Sequence, residues 1–336
     1  MTMQWMRNCR LTIQVDQNTP DALDFSDFKI TFVVSQPAKE QPKAAEIYIY
    51  NLSHETMNKL AGVDDDKKNT QVILACSYGN DEPEVIFKGR VFQYRRGRYS
   101  PVDTYLCVLA IAGDQVRNDA VINTSIPAGT PIHGLNELVI EEAKKYGIDA
   151  GNLVQLSDQK YPRGRTLFGS FHGFIERVGR ENNVTYDYSE GVLNSSELDK
   201  FSIQPIFDLS SETGMIGMPQ LTSEGLLVKC LLNPKLKRMD RIRIDTRNMQ
   251  SENYDIAYSG QQVDQPYKTP KLATNAKGIF VIQAIEHSGD TRGDEWYSNM
   301  VCTALGAVVP KTGISINAVD ESWTPPPRTE NGINNQ

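Results

Sequence analysis

Ile86-Phe87-Lys88-Gly89-Arg90-Val91 runs through a glycine-containing turn to Tyr105–Gly113, and Ile279–Ile285 runs through a similar turn to Tyr297–Gly306. Both stretches read as strand, turn, strand, and both end in alanine and glycine. Alternation of apolar and polar residues puts one side of a strand in a core and the other toward solvent or a partner. Two matching hairpins at opposite ends of one chain fit two related β domains.

The surroundings of the first hairpin carry the same period. Leu11, Ile13 and Val15 alternate with polar neighbours, as do Phe28, Ile30, Phe32 and Val34. In Ala45–Asn51, Ile47 and Ile49 form one face, and Tyr48 and Tyr50 the other. Further strands are expected at Gln71–Tyr78, Val85–Arg95 and Thr104–Ile111. A short helix is expected over His54–Leu60, with Ser53 as N-cap and Gly62 as its stop. Around the second hairpin, strands are expected at Phe201–Phe207, Gly225–Leu231, Arg241–Thr246, Ile279–His287 and Trp296–Leu305.

The middle of the chain changes period. Leu135, Leu138, Val139, Ala143 and Tyr146 follow helical spacing, closed by Gly147 and Ile148. A second helix runs through Phe171, Phe174, Ile175 and Val178, followed by a strand at Val184–Tyr188 and a turn at Ser189-Glu190-Gly191. The expected fold is therefore mainly β with an α+β part. Its divisions are a first β domain at 1–126, an α+β domain at 127–200, a second β domain at 201–310 and a tail at 311–336. A long polar loop with Pro266 and Pro270 is expected at about 250–276. The tail contains Pro325-Pro326-Pro327 and is too poor in apolar residues to offset its ordering entropy, which predicts disorder from about Thr312.

Composition narrows the function. The chain has 336 residues, 39% of them hydrophobic and 23% charged, values of an ordinary globular protein. Its apolar runs are far shorter than the ~20 residues that span a bilayer. No apolar segment follows Arg7 and Arg10, so no secretory signal is read and folding in the cytoplasm is expected. The net charge of −7 is the wrong sign for gripping phosphates and suits a surface that lets a polyanion pass. The five cysteines, Cys9, Cys76, Cys107, Cys230 and Cys302, are odd in number and never paired as C-x-x-C; they read as small buried hydrophobes.

No catalytic constellation emerges. His54-Glu55 opens like a zinc-binding H-E-x-x-H, but Asn58 stands where the second histidine belongs. His133, His172 and His287 stand alone. There is no phosphate-binding G-x-x-x-x-G-K-[ST] loop and no G-x-S-x-G elbow. Asp64-Asp65-Asp66-Lys67-Lys68 reads as a solvated turn, and Arg95-Arg96-Gly97-Arg98 as a basic hairpin tip.

A set of ordered strings remains. Tyr50-Asn51-Leu52-Ser53 precedes the short helix, and Phe87-Lys88-Gly89 lies in a strand. Thr213-Gly214-Met215-Ile216-Gly217-Met218-Pro219 precedes Gly225-Leu226-Leu227-Val228, with Leu231-Leu232-Asn233-Pro234 beyond. His287-Ser288-Gly289-Asp290 is followed by Gly293 and Glu295-Trp296-Tyr297. In this order and spacing the set resembles the baseplate hub proteins of contractile-tailed bacteriophages, over roughly residues 9–306. The motif positions are Asn51, Gly89, Gly214, Gly217, Asn233, Pro234, Gly289, Asp290, Trp296 and Tyr297, with structural roles.

The resemblance implies two tail-tube-like β-barrel domains flanking the small α+β domain. It further implies a homotrimer whose ring joins the sixfold tail tube to a threefold central spike, beside other baseplate proteins. DNA would pass through the channel without specific binding. The expected location is the tail baseplate of the virion, with no catalytic residue, cofactor, metal or membrane partner. Two other readings stand beside it: a hub or spike of a phage-related contractile injection or secretion machine, and a tail-associated cell-wall hydrolase.

Overall fold

The structure, a computed structural model, describes residues 6–16, 21–37, 42–62, 70–188, 191–197, 206–221, 225–244, 250–251 and 278–304. The Asp64–Lys68 turn, most of the 250–276 loop and the 311–336 tail lie outside the described residues, as do Ser189, Glu190 and residues 201–205.

The chain divides into two compact units, Met1–Ile111 with Ile206–Gln336, and Ala112–Pro205. Among the described residues the first is built mainly of strands. Its N-terminal part holds β1 (Arg7–Gln14), β2 (Ala22–Asp24), β3 (Ile30–Gln36), β4 (Ala44–Tyr50), helix α1 (His54–Ala61), β5 (Gln71–Tyr78), β6 (Glu84–Arg98) and β7 (Thr104–Ile111). The central unit holds α2 (Asp114–Asn118), β8 (Val121–Ile126), α3 (Gly134–Lys144), β9 (Asp149–Ala150), β10 (Arg165–Ser170), α4 (Phe171–Asn182), β11 (Val184–Asp187) and β12 (Val192–Glu197). The chain then returns to the first unit with β13 (Ile206–Leu209), β14 (Met215–Leu221), β15 (Leu226–Leu231), β16 (Arg241–Ile244), β17 (Gln250–Ser251), β18 (Ile279–Asp290) and β19 (Trp296–Ala304).

The period-two stretches became strands because alternate side chains are buried. In β3, Ile30, Phe32, Val34 and Gln36 point inward while the residues between them are half-exposed. Helix α1 starts where Ser53 accepts a hydrogen bond from Thr56 N and stops at Gly62, whose φ of 76° is left-handed. Helix α4 starts on Ser170, which accepts from Gly173 N, and ends on left-handed Asn183. The Arg95–Arg98 run is not a hairpin tip: it lies within β6, and the turn follows it, where Tyr99 N and Ser100 N donate to Asp103 O.

The two β regions meet in one 14-stranded sheet, ordered β17-β14-β15-β19-β18-β3-β4-β7-β6-β5-β1-β2, with β16 on β18 and β13 on β16. They are joined where β18 lies antiparallel to β3, from Ile285 opposite Gln36 to Asp290 opposite Thr31. The division into two units falls at Ala112 and Ile206. The central unit begins at Ala112, not near 127, because β8 pairs with β10 across a long separation, Val121 opposite Ser170 and Ile126 opposite Arg165.

The hairpin echo extends to five strands. The first region runs β3-β4-β7-β6-β5 and the second β14-β15-β19-β18-β16, each neighbour antiparallel. The registers coincide as well. Val91 opposite Ala110 corresponds to Ile282 opposite Cys302, and a one-residue bulge follows in both, at Phe92 and Gln283. Gln71 opposite Arg90 corresponds to Arg241 opposite Val281. Ala45 opposite Ala110 corresponds to Leu226 opposite Cys302. Single bonds repeat too: Val91 N donates to Thr70 O as Ile282 N donates to Asp240 O, both at 2.9 Å. The first neighbours outside this set differ, since β1 is antiparallel to β5 and β13 parallel to β16.

The central unit has its own core, in which Val139, Phe171, Phe174, Ile175 and Leu193 are buried together. Removing the fully buried Phe171 ring in Phe171→Ala should cost roughly 3–5 kcal/mol. Hydrogen exchange followed residue by residue should show that loss in 112–205, read as faster exchange in α3 and α4.

Candidate functional site

The motif residues all lie in the first unit, and five of the ten, Asn233, Pro234, Gly289, Asp290 and Trp296, converge where β18 and β19 meet β3. Gly289 lies on β18 directly opposite Trp296 of β19 and Phe32 of β3. A methyl group at Gly289 would fall 2.5 Å from the Phe32 ring and 2.8 Å from that of Trp296. Glycine is what lets the two rings meet edge to face, 5.6 Å apart at 78°. Trp296 is fully buried. Arg7 stacks its guanidinium 5.7 Å from the Trp296 ring and donates through Nη1 to Gly293 O at 2.8 Å and through Nη2 to Asp294 O at 3.2 Å.

Asp290 shapes the turn that follows. Its backbone N–H donates to Glu295 O at 2.8 Å, and its carboxylate accepts from Arg292 N at 2.8 Å. The carboxylate also faces Lys29 Nζ at 3.5 Å. Thr291 N donates to Ile30 O and Thr291 Oγ1 accepts from Ile30 N, both at 2.9 Å. Arg292 Nη2 donates to Asp27 O at 3.0 Å. The β18–β19 turn is thus fastened to the entry of β3.

Asn233 and Pro234 sit beneath the same hairpin. Leu232 N donates to Trp296 O at 3.0 Å, and the buried Tyr78 hydroxyl donates to Leu232 O at 2.8 Å. Asn233 N donates to Ser298 Oγ at 3.1 Å, and the Asn233 amide oxygen accepts from Lys235 N. Ser298 in turn lies 2.8 Å from His287 Nδ1, and His287 also hydrogen-bonds the Leu236 carbonyl. With Asn233 N donating to Ser298 Oγ, the network assigns the Ser298 hydroxyl hydrogen to Nδ1 and the ring proton to Nε2. Burial, with Lys43 nearby, pushes the His287 imidazole down to about 3, so the ring is neutral.

The remaining motif residues are apart from this cluster. Asn51 holds a left-handed φ of 57°; its amide donates to Asp103 Oδ1 at 2.9 Å and accepts from Thr104 N at 3.0 Å. Those bonds, with Ser100, hold the Asp103 carboxyl below its ordinary range. Gly89 allows close approach: a methyl there would fall 2.6 Å from Ile111 O. Gly214 has a φ of 99° and accepts from Leu231 N at 2.8 Å. Gly217, with a φ of 68°, sits in the irregular stretch of β14 between Ile216 and Gln220. Tyr297 is half-buried on the face opposite Trp296, with Lys229 Nζ 4.4 Å from its ring centre.

His287 is buried and neutral, and all five cysteine thiols are buried. Burial pushes the Cys107 and Cys230 thiols up to about 12, away from the thiolate that nucleophilic chemistry needs. Among the described residues no group of three or more histidine, cysteine, aspartate or glutamate side chains could hold a metal ion. No described helix is long and apolar enough to cross a membrane. Sequence reasoning missed Arg7, Lys29, Phe32, Tyr78 and Ser298 as partners of the motif residues. Of these only Phe32 carried a signal, as a buried position of an alternating strand.

The pH dependence of stability tests the His287 assignment. The imidazole is neutral when folded, while in the unfolded chain it titrates near its ordinary ~6.5. Below that value the unfolded state binds more protons, so the His287 contribution is full above ~6.5 and falls by up to ~1.4 kcal/mol per pH unit as pH drops toward the folded value. Glu286, raised by burial, acts in the opposite sense, but it is present in wild type and in His287→Gln alike. Urea titrations should therefore show the stability gap between the two narrowing by about 2 kcal/mol between pH 6.5 and pH 5. An unchanged gap would show that His287 is not held neutral.

Comparison with known proteins places the fold. No protein-family model matches the chain, and no curated protein matches it. Among solved structures, the 43 kDa tail protein of prophage MuSo2 from Shewanella oneidensis aligns with a TM-score of 0.52 at 9% identity, over 88% of this chain and 96% of that one. A tail protein from Neisseria meningitidis MC58 aligns with a TM-score of 0.48 at 9% identity, over 90% of this chain and 98% of that one. An Escherichia coli type VI secretion component, described as structurally similar to the T4 tail proteins gp27 and gp5, aligns with a TM-score of 0.49 at 11% identity, over 89% and 80%. The resemblance carried by the ordered motifs thus holds at the level of architecture: a mainly β chain with a central α+β unit, sharing the fold of a phage tail protein.

Proposed function

We propose that the chain is a structural component of a phage tail, the baseplate hub protein that adapts the sixfold tail tube to the threefold spike. The observation that carries this reading is the five-strand module that occurs twice in one chain with coincident register. Three chains carrying two such modules each present six similar positions to a tube and three identical ones to a spike. The contact needed is heterologous, one patch meeting a different patch on the next chain, and it closes when the rotation completes a ring.

The other features agree with this role. A net charge of −7 suits the wall of a channel through which DNA must slide. At the junction of β3, β18 and β19, Arg7, Thr291 and Arg292 are bonded to backbone groups, which fixes its geometry. The motif residues Asn51, Gly89, Gly214, Gly217, Asn233, Pro234, Gly289, Asp290, Trp296 and Tyr297 hold turns and close contacts under this reading. The partners are two further copies of this chain, the tail tube protein, the spike and other baseplate proteins.

Two measurements test it. A density map of the purified tail should show three copies around the axis with both modules of each at the channel wall; six copies, or a place outside that wall, would refute the hub assignment. Incubation of the purified chain with peptidoglycan should release no soluble fragments. Release abolished by changing a single aspartate or glutamate would replace the structural reading with that of a hydrolase.

A further inference from the structure

Cys9 and Cys76 stand directly opposite each other on the antiparallel β1–β5 ladder. They belong to one buried row, which Leu11 opposite Leu74 and Ile13 opposite Val72 continue. Backbone bonds tell which kind of pair this is. Gly79 N donates to Met6 O at 2.8 Å across the same ladder. Bonded pairs therefore fall there and at every second rung, Asn8 with Ser77 and Arg10 with Ala75. On the other edge of β1, Phe25 N donates to Leu11 O at 2.8 Å and Val15 N to Asp21 O at 2.9 Å, so the odd-numbered residues turn their backbone groups away from β5. Cys9 and Cys76 are thus a non-bonded pair, the kind whose Cα atoms lie about 4.5 Å apart and whose side chains come closest. A disulfide spans Cα separations of about 4.4–6.8 Å. The two thiols already share a hydrogen bond.

The other three cysteines are placed differently. Cys107 faces Tyr48 on one side and Arg95 on the other. Cys230 faces Ser298, and Cys302 faces Leu226 and Ile282. Cys230 and Cys302 lie on adjacent strands but four rungs apart, about 13 Å along the ladder.

We infer that Cys9 and Cys76 are a disulfide-forming pair that fastens β1 to β5 in an oxidising medium. The oxidant is a low-molecular-weight disulfide. One protein thiolate attacks it, forming a mixed disulfide and expelling one small thiol, and the second protein thiolate displaces the other. Two protein thiols are oxidised to one bond, the small disulfide is reduced to two thiols, and the two protons leave on them. Burial, with the Cys9 thiol beside it, pushes the Cys76 thiol up, so Cys9, the more exposed of the two, reacts first. The bond pins the strand that carries Arg7, whose guanidinium stacks on Trp296 and holds Gly293 O and Asp294 O. It also closes a long loop and so restricts the unfolded chain. The bond does not rest on the tail reading; under that reading, a chain folded among reduced thiols acquires it once the particle is outside the cell.

The test counts thiols in the full wild-type chain. One sample is held, folded, in a buffer of reduced and oxidised glutathione until its thiol count is constant. A second is refolded from urea through the same buffer, so that access to a buried pair does not limit the answer. A control sees reduced glutathione alone. After acid quenching and denaturation the control should show five thiols and the oxidised samples three, at an unchanged chain mass. Digestion should yield one linked peptide pair, holding Cys9 and Cys76. The oxidised chain should melt higher than the control by roughly 5–10 °C, and Cys9→Ala and Cys76→Ala should each lose that difference. Five thiols in both oxidised samples, glutathione retained on Cys9 without a link to Cys76, or a link through Cys107, Cys230 or Cys302 would overturn the pair. A linked chain that melts no higher than the control would overturn the fastening of β1.

Discussion

A single strand edge shared between two partners holds the large unit together. β18 is 12 residues long, and the bulge after Ile282 turns it so that its first part closes onto β16 and its last part onto β3. Bulges bend and twist the strand that carries them. Here the bend lets one strand finish its own module and begin the connection to the other. The β3 partner is fixed in register by the Phe32–Trp296 contact and by the turn bonds from Thr291 and Arg292 to Asp27 and Ile30. A slip of one residue would put Phe32 on the wrong face and break all of them together.

Much of the architecture was legible because alternation and helix stops are local signals. Gln71–Tyr78 and Thr104–Ile111 are strands with the limits read from the sequence, and Ser53 and Gly62 bound α1. The hairpin echo was legible for the same reason. What local pattern cannot carry is which strand lies beside which. β8 was not read as a strand at all, and its partner β10 comes after a helix and a long connection, so the pairing that places both in the central unit has no local trace. The short strands β2, β9 and β17 are two or three residues each and have no period to detect.

The motif residues were recognisable as a set and opaque as a mechanism. Gly289 and Trp296 face each other across one hairpin, a relation that sequence spacing suggests. Their third partner, Phe32, comes from far upstream, and Arg7 from further still. Arginine stacking on a buried tryptophan leaves no periodic trace. His287 is another case: a lone histidine in an alternating strand is a core residue or a ligand with equal ease on paper. The bonds to Ser298 and Leu236 decide the matter for the core.

The crowding around Gly289 has a consequence for how the chain can vary. Position 289 can accept a larger residue only where 32 or 296 has already become smaller, because each of the two rings occupies the space the other two positions leave. Three sites scattered across the sequence therefore behave as one inherited character, changing in a permitted order or not at all. The counterpart in the other module, Arg98 opposite Thr104, carries no such packing and is released from that order. Two occurrences of one strand pairing can in this way differ in residue identity while the backbone register stays the same.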